Sequence, residues 1–173
     1  MVAAAPPTDL DLVRAAQRLG DVLRRRGVRL ATAESATGGL IGHLVTQIVG
    51  ASDYYVGGVV AYADDVKRSL LDVPADLIDA RGAVSAEVAE AMASGALDRL
   101  AADVAVAVTG IAGPDGGSKA KPVGLTFLAV AERGRGHAVV TRRVWAHDRD
   151  GNKRASALAA MRLASGSADG DGT

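Results

Sequence analysis

Cysteine is absent from the 173-residue chain. That excludes disulfides, thiolate metal sites and a cysteine nucleophile. Aromatic residues are scarce at 3%, while Ala and Val carry most of the 49% hydrophobic content, so a core of small, closely packed side chains is expected. Neither charge is in excess: 20 Lys and Arg balance 20 Asp and Glu. No basic surplus exists to follow a nucleic-acid backbone, and no nucleic-acid partner is expected. No run of 18 apolar residues occurs, so no segment is expected to span a membrane. Met1 to Pro7 is Ala/Pro-rich, short and uncharged, unlike a signal peptide, and a cytoplasmic location is expected by default. No His, Asp and Glu cluster has metal-ligand spacing; Asp64-Asp65 and Asp148-Arg149-Asp150 read more simply as turn and cap residues. Neither a metal nor another cofactor is expected.

What the chain does contain is a clear alternation of periods. Thr8, with Asp11 three positions on, opens a helix whose apolar positions are Leu12, Ala16, Leu19 and Leu23, and Gly27 stops it. Arg24 to Arg26 reads as a solvated helix end or, alternatively, a phosphate-binding run. Val28 to Ala33 reads as a strand, and Thr37-Gly38-Gly39 opens an apolar helix ended by Gly50. A strand over Tyr54 to Ala63, a short helix over Asp64 to Leu71, a helix after Pro74 and one capped by Ser85 follow. Asp103 to Thr109 is almost wholly apolar, the pattern of a strand buried on both faces. A Gly/Pro-rich loop from Gly110 to Gly124 leads to strands near Leu125–Glu132 and Ala138–Trp145, and a last helix spans about Gly151 to Leu163. The pattern predicts an α/β fold, a layered α/β/α sandwich with a mixed, mostly parallel sheet. One domain is expected over 8–164, with a flexible N-terminus at 1–7 and a disordered tail at 165–173.

Hydrolysis of an unactivated amide needs a nucleophile beside a base, donors for the oxyanion, and an acid for the leaving nitrogen. Ser35 lies at a strand-to-helix junction, where free N–H groups of a first helical turn suit an oxyanion or a phosphate. The alternative is that Ser35 or Thr37 merely caps the helix. His43, His137 and His147 have no surroundings that mark a base. Lys67 follows a strand, where burial would favour the neutral amine a base requires, with Tyr62 placed to relay a proton or hold it; a surface helix position is the alternative. Thr109 ends the most buried strand, where α/β proteins place ligand sites, and the glycines after it allow close backbone approach. A plain structural loop is the alternative. The loop has neither the Walker nor the dinucleotide-binding glycine spacing, which disfavours ATP hydrolysis and NAD redox chemistry.

Taken in order, Ala33-Glu34-Ser35-x-Thr37-Gly38-Gly39, Gly57-Gly58-Val59-Val60-Ala61-Tyr62 with Lys67, Gly82-Ala83-Val84-Ser85, and Thr109 to Gly117 with Lys121-Pro122-Val123-Gly124 resemble the CinA-type C-terminal domain, the nicotinamide-nucleotide amidohydrolases of bacteria. The resemblance covers about Asp11 to Leu163. It implies hydrolysis of nicotinamide mononucleotide to nicotinate mononucleotide and ammonia, in pyridine nucleotide recycling. It implies Ser35 as nucleophile and Lys67 as its base, with Tyr62 and Thr109 supporting. Thr37, Gly38, Gly39, Gly110, Ala112, Gly113 and Arg149 would then bind the substrate, and a homo-oligomer is implied. The chain is expected to stand without the larger N-terminal domain of some relatives. It departs from the family pattern at Ala36, usually Cys, and at His147 of His147-Asp148-Arg149, usually Gly. The competing expectation is a pyridine-nucleotide-binding regulatory module without turnover, linked to competence or DNA damage.

Overall fold

The structure, a computed structural model, describes residues 5–169. Helix α1 (Asp9–Arg26) begins at the capping box foreseen at Thr8: Thr8 Oγ1 accepts from Asp11 N, and the Asp11 carboxylate accepts from Thr8 N. It ends at Gly27, whose φ of 62° few other residues adopt without strain. There follow β1 (Leu30–Glu34), α2 (Leu40–Thr46), a 3₁₀ turn (Ala51–Asp53), β2 (Tyr55–Val60), α3 (Asp64–Leu71), α4 (Ala75–Arg81) and α5 (Ala86–Arg99). Strands β3 (Val104–Gly110), β4 (Leu125–Glu132) and β5 (Val139–Val144) and helix α6 (Arg149–Asp169) complete the chain.

The five strands form one open sheet in the order β2-β1-β3-β4-β5, with helices on both faces. β1 lies parallel to β2 and β3, whereas β4 is antiparallel to β3 and to β5. The sheet is mixed as expected, but evenly so rather than mostly parallel. A parallel neighbour requires a long crossover, and beyond β3 no helix intervenes: the 111–124 loop and the Arg133–Gly136 turn reverse the chain directly.

Alternation along β3 divides the core in two. Val104, Val106 and Val108 face α1, α2 and α6, among Leu19, Leu23, Ile41 and Met161. Ala105 and Ala107, with Ala31 and Ala33 of β1, face α3, α4 and α5. The small-residue core anticipated from composition is therefore this second side. There α3 and α5 approach so closely that a β-carbon at Gly95 would collide with the Leu71 carbonyl. That contact sets the position of α3, which carries Lys67.

On the first side Tyr54 is 1% exposed and its hydroxyl has no hydrogen-bond partner among the described residues, while its ring lies 4.9 Å from the Arg24 guanidinium carbon. Burial pushes its phenol above the usual tyrosine range. Tyr54→Phe removes the stranded hydroxyl and keeps the ring, so chemical denaturation should show stability raised by about 1 kcal/mol. A loss of stability would mean that the hydroxyl has a partner in solution.

Both chain ends differ from expectation. The end of the proposed flexible segment is tied down, with Arg154 Nε donating to Pro7 O at 2.7 Å. Residues 165–169, expected in a disordered tail, continue α6: Ser165 Oγ donates to Met161 O, and Ser167 reaches Glu132. The small, polar composition that reads as a tail is what lets these turns lie close against the sheet. Residues 1–4 and 170–173 lie outside the described residues. Among the described residues, no helix is long and apolar enough to cross a membrane.

Candidate active site

The parallel strands bring their C-terminal ends to one edge. Glu34 stands beside Val60 on one side and Val108 on the other. The ladder runs one residue further, with Ser35 N donating to Val108 O at 2.9 Å and Ala61 N to Glu34 O at 2.8 Å. Antiparallel β4 starts at the same edge, where Thr126 pairs with Gly110. Three chain exits are thus gathered where open α/β sheets hold ligands. A cavity of about 200 Å³ lies there, lined by Ser35, Tyr62, Lys67, Thr109, Gly110, Ala112 and Arg149. Ala36, Asp64, Ala83 and Val84 complete its wall. Thr37, Gly38, Gly39 and Gly113 do not line it. A larger groove of about 540 Å³ between α6 and the β4–β5 edge is walled by Leu158, Leu163 and Trp145 and holds none of the expected catalytic groups.

Lys67 is 1% exposed, so the surface alternative is set aside. Its Nζ donates to Asp64 Oδ1 at 2.9 Å and to Tyr62 O at 3.2 Å. The amine is therefore not isolated in an apolar pocket: it forms an ion pair with Asp64, whose side chain is 45% exposed. Two of three ammonium donor directions are occupied and one is left. Asp64, read from sequence as a turn residue, is a functional neighbour that local spacing (i, i+3 on α3) could have suggested. Tyr62 holds Lys67 through its backbone carbonyl. Its phenol, on a side chain that projects into solvent, accepts instead from Arg149 Nη2 at 3.1 Å, so it is not the relay to Nζ that was considered. Ser35 Oγ makes no hydrogen bond among the described residues, and no Ser35–Lys67 bond is formed in the empty cavity.

The N-terminus of α2 overturns both readings of the Ser35 junction. Its cap position is Gly39, with no side-chain cap from Ser35 or Thr37. The Glu34 carboxylate instead accepts from Gly39 N at 3.1 Å, Ile41 N at 3.0 Å and Gly42 N at 2.8 Å. Glu34 is 1% exposed. An internal anion thus occupies the donors proposed for an external one. Beneath it, Tyr55 Oη bonds Thr32 Oγ1 at 2.9 Å, and burial pushes that phenol up. The amides of Ala36 and Thr37 keep no partner among the described residues. The Thr37 hydroxyl, fully buried, has none either.

Thr109 Oγ1 donates to Ala83 O at 2.8 Å, so its proton fixes the Gly82–Ser85 segment to β3 rather than serving the nucleophile. Ser85 caps α5 by accepting from Val88 N. The glycine loop is closed at its neck by Ile111 N to Leu125 O and Gly124 N to Ile111 O. Its carbonyls, not its amides, are held by α6: Asn152 Nδ2 donates to Ala112 O at 3.0 Å and Arg149 Nη1 to Gly113 O at 2.6 Å. Asn152, 2% exposed, is a positioning residue that no sequence signal marked. His147 N donates to Asn152 Oδ1, and His147 takes no left-handed backbone, so replacing the family's glycine leaves Arg149 in place. No histidine lines the cavity: His43 and His137 are exposed and His147 faces the larger groove. Among the described residues, no three His, Cys, Asp or Glu side chains are grouped to hold a metal.

Comparison with known proteins agrees with this arrangement. The CinA-like protein of Geobacter sulfurreducens is 46% identical over 168 residues, which are 88% of this chain and 40% of that protein. The chain spans between 26% and 40% of the length of the curated relatives it matches. Among solved structures, the competence/damage inducible protein CihA from Agrobacterium tumefaciens superposes with a TM-score of 0.86 at 39% identity, over 92% of this chain and 96% of that one. A competence-damaged protein (CinA) superfamily protein from Klebsiella pneumoniae gives 0.87 at 30% identity, over 92% and 98%. Residues 13–167, from within α1 to the last turns of α6, match the model of the CinA C-terminal domain, and the chain belongs to that family.

Proposed function

We propose that the protein hydrolyses the carboxamide of nicotinamide mononucleotide to nicotinate mononucleotide and ammonia, as part of pyridine nucleotide recycling. The observation that carries the reading is the meeting of Ser35, from the end of β1, with buried Lys67 on α3 in one cavity. The choice of amide rests on the family resemblance. Ser35 Oγ attacks the amide carbon, and its proton passes to Lys67 Nζ in its amine form. Asp64 stabilises the ammonium that results and, with Tyr62 O, orients it. The amides of Ala36 and Thr37 are the donors available to the tetrahedral oxyanion. The C–N bond then breaks, the Lys67 proton leaves with the nitrogen as ammonia, and water cleaves the Ser35 ester to the free carboxylate. The same reading carries a homo-oligomer and a cytoplasmic setting as expectations.

The test is ammonia release by the purified protein from nicotinamide mononucleotide, with formation of nicotinate mononucleotide followed in parallel. Stoichiometric release is expected. Tight nucleotide binding with no ammonia would replace the amidase with a regulatory binding module.

A further inference from the structure

An anion carried by the substrate cannot use the α2 amides, because Glu34 already accepts from Gly39, Ile41 and Gly42. A second anion there would also face a buried carboxylate at short range. The cations near the cavity come from α6 instead. Arg149 in its first turn lines the cavity, and Lys153 stands one turn later on the same face. A β-carbon at Gly38 would lie 3.9 Å from Lys153 Nζ, so this ammonium hangs over the turn that follows Ser35. Lys153 is half-buried and has no ion pair or hydrogen bond among the described residues. Arg149 bonds only neutral groups, the Gly113 carbonyl and the Tyr62 hydroxyl. Lys67, by contrast, is neutralised by Asp64. The mouth of the site therefore carries two cations with no carboxylate partner among the described residues, at the positive end of a long helix.

We infer that Lys153, with Arg149 beside it, binds a phosphomonoester on the substrate and makes the site selective for nucleotide amides over the matching nucleosides. The inference rests on the amidase reading for its substrate. An ammonium is a compact charge with three donors, suited to a dianion whose oxygens approach from one side. Ser35 and Lys67 act on the amide, while Lys153 sets which amides are held.

The experiment compares wild type, Lys153→Ala and Lys153→Arg for ammonia release from nicotinamide mononucleotide and from nicotinamide riboside. Calorimetric binding of nicotinate mononucleotide is measured alongside, and melting confirms that each variant is folded. Lys153→Ala should lower the mononucleotide-to-riboside ratio of kcat/KM by about 10- to 100-fold, the range for one lost charge-assisted hydrogen bond. The loss should fall on KM and on product binding, and Lys153→Arg should restore most of it. Turnover with an unchanged ratio in Lys153→Ala overturns the inference and leaves the amidase standing. Binding of nicotinate mononucleotide that Lys153→Ala weakens, without turnover by wild type, supports the anion site and overturns the amidase. Absence of both binding and turnover in wild type overturns both.

Discussion

Ser35→Ala is expected to lower ammonia release by about 10³- to 10⁶-fold, the range seen when a serine nucleophile is removed and only binding and oxyanion donors remain. The substitution deletes one atom that makes no hydrogen bond among the described residues, and the backbone of Ser35 stays in the ladder through its bond to Val108 O. No polar partner is stranded, so stability should change by no more than about 0.5 kcal/mol. The comparison is ammonia release against a thermal melt on the same preparation. A variant that keeps full activity would remove Ser35 from the reaction, and no thiol stands beside it to take its place, because position 36 is Ala.

Lys67→Met should cost about 10²- to 10⁴-fold, the worth of a positioned general base and acid. Here the structural and chemical roles separate cleanly. Methionine nearly fills the volume of a lysine stem that is 1% exposed. Its former partner Asp64 has a side chain 45% exposed, so the carboxylate regains water rather than staying buried and unpaired. Stability should therefore hold within about 1 kcal/mol, or rise, while turnover falls. If activity survived in the methionine variant, the proton would have to move by another route, and the ion pair would be structural only. Loss of fold along with activity would instead mean that the Tyr62 carbonyl and Asp64 need the ammonium to hold the start of α3.

How much of this was open to reading in the chain varies with the range of the interaction. The Thr8 capping box, the stop at Gly27, the α3 limits at Asp64 and Leu71 and the β4 limits at Leu125 and Glu132 all depend on neighbours within a few residues. Each was correctly placed for that reason. The α6 terminus failed because the Ser/Gly-rich end gains its order from distant contacts such as Ser167 with Glu132. The junction at Ser35 failed differently. Glu34 reaches its three amides five to eight residues on only because α2 turns back over the end of β1. No local signature separates that arrangement from an ordinary serine or threonine cap.

Ser35 and Lys67 could be named as a pair, and the family recognised, from residue types and their order, because motif chemistry is written along the chain. Folding decided what surrounds them. It placed Lys67 beside Asp64, turned the Tyr62 phenol toward Arg149, spent the Thr109 proton on Ala83 and filled the α2 terminus with Glu34. It also brought Lys153, more than a hundred positions away in sequence, to the turn beside Ser35. Hydrogen bonds and ion pairs act over a few ångströms. Which groups come within that reach depends on the parallel strands ending together and on α6 crossing above them, and sequence spacing alone leaves that open.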